Sequence, residues 1–168
     1  MTLYAVTDSA WTGGQTLMEQ VKDALDGGIT FLQLREKDLE YDAFLQEAIE
    51  MAKLSRKYGV PFVINDEVEI ALKCGADGVH VGQEDMACRN ARDILGPDKI
   101  IGVSVHNVKE ALKAQADGAD YLGLGAVKAT PTKTDARVVE FEEIKKVCDA
   151  VNIPVVAIGG IKKDNMME

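Results

Sequence analysis

Gln33, Arg35 and Lys37 follow one another at steps of two, just where the apolar run Phe31–Leu34 ends. A planar guanidinium beside a mobile ammonium is a pair that grips phosphate oxygens, the first as a fork and the second as a point charge. Asn65-Asp66 follows Pro61–Ile64, and Asp85 closes the stretch that runs on from Val79–Val81. Two carboxylates after neighbouring apolar runs, without a cysteine or histidine cluster, suit a hard cation such as Mg2+, which takes one or two carboxylates with phosphate oxygens and water. Taken singly, each aspartate reads equally well as the N-cap of the next helix. Thr130-Pro131-Thr132-Lys133 places two hydroxyls and an ammonium in one loop, an anion clamp or an ordinary polar connection. Gly159-Gly160 lets backbone N–H groups approach an oxyanion at the start of a helix-like segment. Ser104 shares strand parity with Gly102 and is either a ligand contact or a small residue filling a tapered interior. His80, between Val79 and Val81, is either a satisfied core imidazole or a base.

All these groups sit where apolar runs end, so the elements that carry them follow one plan. Strands are expected at Leu3–Thr7, Phe31–Leu34, Pro61–Ile64, Val79–Val81, Ile100–Val105, Tyr121–Val127 and Val155–Ile158. Between them, helical spacing covers Leu17–Leu25, Tyr41–Tyr58, Val68–Cys74, Ala87–Leu95, Val108–Ala116 and Glu140–Ala150. Strict alternation predicts a parallel sheet with right-handed crossovers, whose ligands lie beyond the carboxyl ends of the strands. Residues two apart on a strand share a face. Gln33 and Arg35 are therefore expected to face the barrel axis, Leu32 and Leu34 the helix layer, and Lys37 to lie just beyond. Gly27-Gly28-Ile29, Gly75-Ala76-Asp77 and Gly118-Ala119-Asp120 form a weak repeat, each closing a helix before a strand with a glycine suited to a left-handed cap.

The chain has 168 residues, 46% of them apolar, which suits one domain spanning 1–168. Its net charge of −9 argues against nucleic acid and anionic membranes as partners. An anionic substrate must then be held by local cations. No apolar run nears the ~18 residues of a membrane span, and Met1 leads straight into a strand-like run without the basic start of a signal peptide. Cys74, Cys88 and Cys148 have no metal spacing and read as reduced thiols of a cytoplasmic protein.

Gln33-Leu34-Arg35-Glu36-Lys37, Ile64-Asn65-Asp66, Gly78-Val79-His80-Val81-Gly82-Gln83-Glu84-Asp85, Gly102-Val103-Ser104, Thr130-Pro131-Thr132-Lys133-Thr134-Asp135-Ala136 and Val155-Val156-Ala157-Ile158-Gly159-Gly160-Ile161 together resemble the thiamine-phosphate synthase family, in order and over nearly the whole chain. The resemblance implies an α/β fold of the (β/α)8 TIM-barrel type. It also implies a transferase that joins hydroxymethylpyrimidine pyrophosphate to a thiazole phosphate and yields thiamine phosphate and pyrophosphate. By the family pattern Asp66 and Asp85 hold Mg2+, while Arg35, Lys37, Asn65 and Lys133 hold the pyrophosphate. Gln33 and Ser104 contact the pyrimidine or its leaving group, and Thr130, Thr132 and Gly160 face the thiazole phosphate. Arg35, Lys37, Ser104 and Lys133 carry the catalytic roles in this pattern. The chain ends at Glu168, soon after the seventh expected strand, so the barrel is expected to be incomplete as it stands, lacking its eighth strand and last helix. Its open edges would be covered by further chain or by a partner such as a second copy. A thiazole-processing isomerase relative and a non-catalytic phosphate-binding fragment are the alternatives.

Overall fold

Period-2 apolar runs alternate with 3.6-period helical runs along the whole sequence, and the structure realises that alternation. The computed structural model describes residues 3–83, 88–129 and 138–166. Its strands are β1 (Tyr4–Val6), β2 (Phe31–Leu34), β3 (Phe62–Asn65), β4 (Gly78–Val81), β5 (Ile100–Val105), β6 (Tyr121–Leu124) and β7 (Val155–Ala157). Its helices are α1 (Leu17–Asp26), α2 (Tyr41–Tyr58), α3 (Val68–Cys74), α4 (Cys88–Leu95), α5 (Val108–Ala116) and α6 (Phe141–Ala150). A short 3-10 turn at Ser9–Trp11, which the apolar pattern does not announce, follows β1 and is capped by the Asp8 carboxylate. The chain divides into two compact units, Met1–His80 with Ala91–Ile100, and Val81–Asn90 with Ile101–Glu168.

In the first unit β1, β2 and β3 pair in parallel, and β3 pairs with β4. Leu32, Leu34, Ile64 and Val79 share one face and are buried almost completely. That face belongs to the helix layer, where α2 and α3 pack on β3. The opposite face carries Tyr4, Phe31, Gln33, Val63, Asn65 and His80. The expected parity of Gln33 against Leu32 and Leu34 is therefore the observed one. The rings of Tyr4 and Phe31 meet edge to face at 4.8 Å on adjacent strands. Helix α1 begins with a full capping box, Thr16 bonding the Glu19 N–H and Glu19 bonding back.

In the second unit β5, β6 and β7 run parallel, with Gly102 opposite Tyr121, Ser104 opposite Gly123, and Leu124 opposite Ala157. Gly102 is glycine because the fully buried Tyr121 ring occupies the place of a side chain there; a Cβ would lie 2.1 Å from its Cζ. Strand β6 stops at Leu124, short of the expected Val127. Pairing toward β7 nevertheless continues, the Val127 N–H donating to Ile158 O and the Lys128 N–H to Gly159 O.

The glycine repeat has a fuller physical basis than a helix cap. The residue just before β2, β4 and β6 is Thr30, Asp77 and Asp120, and each brackets the start of the preceding strand. Thr30 N–H donates to Leu3 O, Asp77 N–H to Phe62 O, and Asp120 N–H to Ile101 O. In return the Thr30 hydroxyl accepts from the Leu3 N–H, the Asp77 carboxylate from Phe62 N–H and the Asp120 carboxylate from Ile101 N–H, all within 2.7–2.9 Å. In the first copy the left-handed residue is Gly28 (φ 89°), while Gly27 stays right-handed at φ −74°.

Candidate active site

The carboxyl ends of β2, β3 and β4 bring the first group of expected residues together. Gln33 is buried, and its Nε2 donates to the Tyr4 hydroxyl at 2.6 Å. Arg35 is half-buried, and its backbone is clamped by Thr7: the Arg35 N–H donates to the Thr7 hydroxyl at 2.9 Å, and that hydroxyl reaches Arg35 O at 3.4 Å. Lys37 extends from the following loop to the carboxylate of Asp66, Nζ to Oδ2 at 2.8 Å. Asn65 Nδ2 donates to the same Oδ2 at 2.6 Å.

Asp66 is the pivot of this cluster. It holds a left-handed backbone, φ 64°, a conformation that Asn and Asp tolerate better than other residues with a Cβ. Its N–H donates to His80 O at 2.9 Å, tying the end of β3 to β4. Helix α3 starts from Glu67 with no side-chain cap, so Asp66 is not its N-cap. The carboxylate instead points at Lys37 and Asn65. The Lys37 side chain is half exposed, and an ion pair of that exposure contributes at most about 1 kcal/mol to stability. Packing gives little reason for the left-handed turn; a carboxylate presented at the strand ends does.

His80 resolves toward the core reading. It is 7% exposed, and burial holds its imidazole down to about 4 from an ordinary 6.5, against a smaller upward pull from Asp66. It is therefore neutral at physiological pH. Because the unfolded chain accepts this proton and the folded one refuses it, His80 makes stability fall as pH drops from 6.5 toward about 4. We expect His80→Gln to remove a slope of about 1.4 kcal/mol per pH unit across that window. Urea unfolding of both proteins at several pH values measures it, and parallel curves would refute the burial argument.

In the second unit Ser104 is half-buried on β5, and its carbonyl accepts from Gln83 Nε2 at 2.7 Å. Gly160 is left-handed, φ 68°, and a Cβ there would lie 2.6 Å from Ala129 O. Its neighbour Gly159 (φ 93°) presses as closely on Ala126. The turn after β7 is thus folded against the segment that leads into Thr130. Asp85, Thr130, Thr132 and Lys133 lie outside the described residues.

The sequence reading passed over several supporting groups. Tyr4 and Thr7 hold Gln33 and Arg35, yet on β1 and just after it they look like ordinary strand residues. His106 follows β5, and its Nδ1 meets Glu110 Oε2 at 2.9 Å while its N–H donates to the same oxygen at 2.8 Å. Burial pushes the Glu110 carboxyl up, but the bonds from His106 and Asn107 outweigh it, and the carboxyl ends below its usual range. A histidine with a glutamate four residues on, at a helix start, was the available signal.

The alternating parallel strands and helices, with polar residues gathered at strand ends, define an α/β enzyme of the TIM-barrel type. A solved structure of thiamine phosphate pyrophosphorylase from Pyrococcus furiosus is similar with a TM-score of 0.88 and 42% identity, over 97% of this chain and 77% of that one. The family model described as thiamine monophosphate synthase matches residues 3–168, and the chain belongs to that family. A thiamine-phosphate synthase of Caldanaerobacter subterraneus subsp. tengcongensis is 50% identical over 99% of this chain and 78% of its own length. That of Clostridium acetobutylicum is 47% identical over 97% and 77%. No helix among the described residues is long and apolar enough to cross a membrane.

Proposed function

We propose that this protein is a thiamine-phosphate synthase joining hydroxymethylpyrimidine pyrophosphate to thiazole phosphate, with release of pyrophosphate. The observation that carries the reading is the cluster of Lys37, Asn65 and Asp66 at the strand ends of a chain whose near relatives bear that enzyme's name.

The reaction breaks the C–O bond between the pyrimidine methylene and the pyrophosphate, and forms a C–N bond from the same carbon to the thiazole nitrogen. The electron pair of the C–O bond leaves with pyrophosphate; the thiazole lone pair replaces it. No protein nucleophile is needed. The protein must stabilise the departing anion and hold the second substrate in line. Arg35, Lys37, Asn65 and Lys133 take the pyrophosphate oxygens. Gln33, buried and oriented by Tyr4, offers its amide to the pyrimidine, and Ser104 contacts the pyrimidine or its leaving group. Thr130, Thr132 and the Gly160 backbone receive the thiazole phosphate, Gly160 standing in a left-handed turn (φ 68°) after β7.

Asp66 fits a hard cation. It supplies oxygen donors, one carboxylate oxygen is bonded to Lys37 and Asn65, and the group is not spent on capping a helix. Asp66 and Asp85 would hold Mg2+, which when bound supplies positive charge to the leaving pyrophosphate. Cys74, Cys88 and Cys148 carry thiols rather than disulfides, which supports a cytoplasmic setting.

Incubation with both substrates and Mg2+ is expected to release pyrophosphate in step with thiamine phosphate. Release no faster than in a control without protein would overturn the assignment.

A further inference from the structure

The loop from β2 to α2 carries Arg35 and Lys37 with Glu36 between them, and Glu36 is an anomaly. It is only 9% exposed. Its Oε2 accepts from the Ser9 hydroxyl at 3.3 Å, while its Oε1 is buried without a hydrogen-bond partner. Glu47, on α2, also has a buried oxygen, Oε2, without a partner. A buried polar atom left unpaired costs free energy, and an ionised one far more. Two carboxylates in this condition call for a reason.

The charges around them do not supply one. Glu36 faces Asp8 from the loop after β1 and Asp38 from its own loop, with Arg35 as the opposing cation. Glu47 faces Glu36 and, on its own helix, Glu50. The neighbourhood is mostly acidic, so ionising either group adds repulsion to desolvation. A neutral carboxyl avoids both costs and keeps one oxygen as acceptor for Ser9. The same loop is clamped a second time by Thr7 on the Arg35 backbone. The segment after β1 thus grips the β2–α2 loop at two successive residues.

We propose that Glu36 is a positioning residue: wedged under the β2–α2 loop and braced by Ser9, it sets Arg35 and Lys37 for pyrophosphate. Burial, the largest cause, pushes both Glu36 and Glu47 up from the ordinary carboxylate range, and the Glu36 charge pushes Glu47 further. A carboxyl raised on folding adds stability at low pH that is lost as pH rises through its folded value. The loop's hold on Arg35 and Lys37 loosens in the same direction.

The proposal rests on the reading of Arg35 and Lys37 as pyrophosphate ligands, and the test separates the two. Inorganic pyrophosphate with excess Mg2+ is titrated calorimetrically into wild type, Glu36→Gln, Glu36→Leu and Glu47→Gln. Glutamine keeps the size and an acceptor for Ser9 without the charge, so Glu36→Gln should bind increasingly tighter than wild type as pH rises, by about fivefold at alkaline pH. Glu36→Leu fills the space without bonding Ser9, and should bind about tenfold weaker at every pH. Glu47→Gln removes a carboxyl whose charge repels that of Glu36, so its loss of affinity with rising pH should set in at lower pH than in wild type. In urea unfolding, the advantage of Glu36→Gln over wild type should grow with pH. Parallel affinity curves for wild type and Glu36→Gln, or leucine binding as well as glutamine, would overturn the positioning role while leaving the pyrophosphate site intact. Wild type that binds no pyrophosphate at any pH would overturn both.

Discussion

Asp66→Asn is expected to lower turnover by on the order of 100- to 1,000-fold while the protein still folds. Asparagine keeps the oxygen that Lys37 and Asn65 approach and tolerates the left-handed backbone at φ 64°. It removes only the negative charge, along with its ion pair to a half-exposed Lys37. That loss amounts to about 1 kcal/mol or less, so the melting temperature should stay within about 4 °C of wild type. Asp66→Gly sharpens the comparison. It relieves the backbone conformation and removes the carboxylate, and should be as stable as Asp66→Asn and as inactive. If melting and activity fall together in both variants, Asp66 serves the fold and the metal role fails.

Gly160→Ala should damage one half of the reaction and spare the other. At φ 68° an alanine costs about 1–2 kcal/mol for backbone conformation alone. Its Cβ would also lie 2.6 Å from both Ala129 O and Lys128 Cβ, and the backbone oxygen cannot step aside without moving the segment that precedes Thr130. We expect a total loss of about 2–4 kcal/mol, read as a drop of roughly 5–15 °C in melting temperature. Because Gly160 is assigned to the thiazole phosphate, the KM for that substrate should rise about tenfold, with a much smaller change for the pyrimidine pyrophosphate. Steady-state kinetics with each substrate varied in turn separates the two. Equal rises in both KM values would detach the Gly159-Gly160 turn from the thiazole half.

Much of this was legible in the sequence because it depended on period and punctuation. Strand β2, helix α2, helix α3 and strand β5 fall at their expected bounds, since each is an unbroken apolar pattern ended by glycine or a polar residue. Gln33 lies on the expected face, opposite Leu32 and Leu34, because strand parity admits only two answers. The end of β6 was not legible: Tyr121–Val127 reads as one apolar run, but regular pairing stops at Leu124, and the chain bends before it rejoins β7. Nor could the sequence decide between cap and ligand for Asp66. That choice depends on a backbone dihedral and on a lysine twenty-nine residues away, neither of which leaves a local mark. The unpaired oxygens of Glu36 and Glu47 are tertiary in the same sense, since glutamate in a charged loop reads as a solvated residue.

The brackets formed by Thr30, Asp77 and Asp120 make the architecture modular. They occur at alternate junctions, locking β1 to β2, β3 to β4 and β5 to β6, and each uses one short side chain with its own backbone N–H. Each strand–helix–strand module therefore carries its own register lock, complete once its second strand has been synthesised. All of these locks sit at the amino ends of the strands, away from the loops at the carboxyl ends that are proposed to hold substrates. Those loops can lengthen, shorten or exchange residues in evolution without loosening the alignment of the strands beneath them, and new chemistry can be tried on a frame whose registration is secured elsewhere.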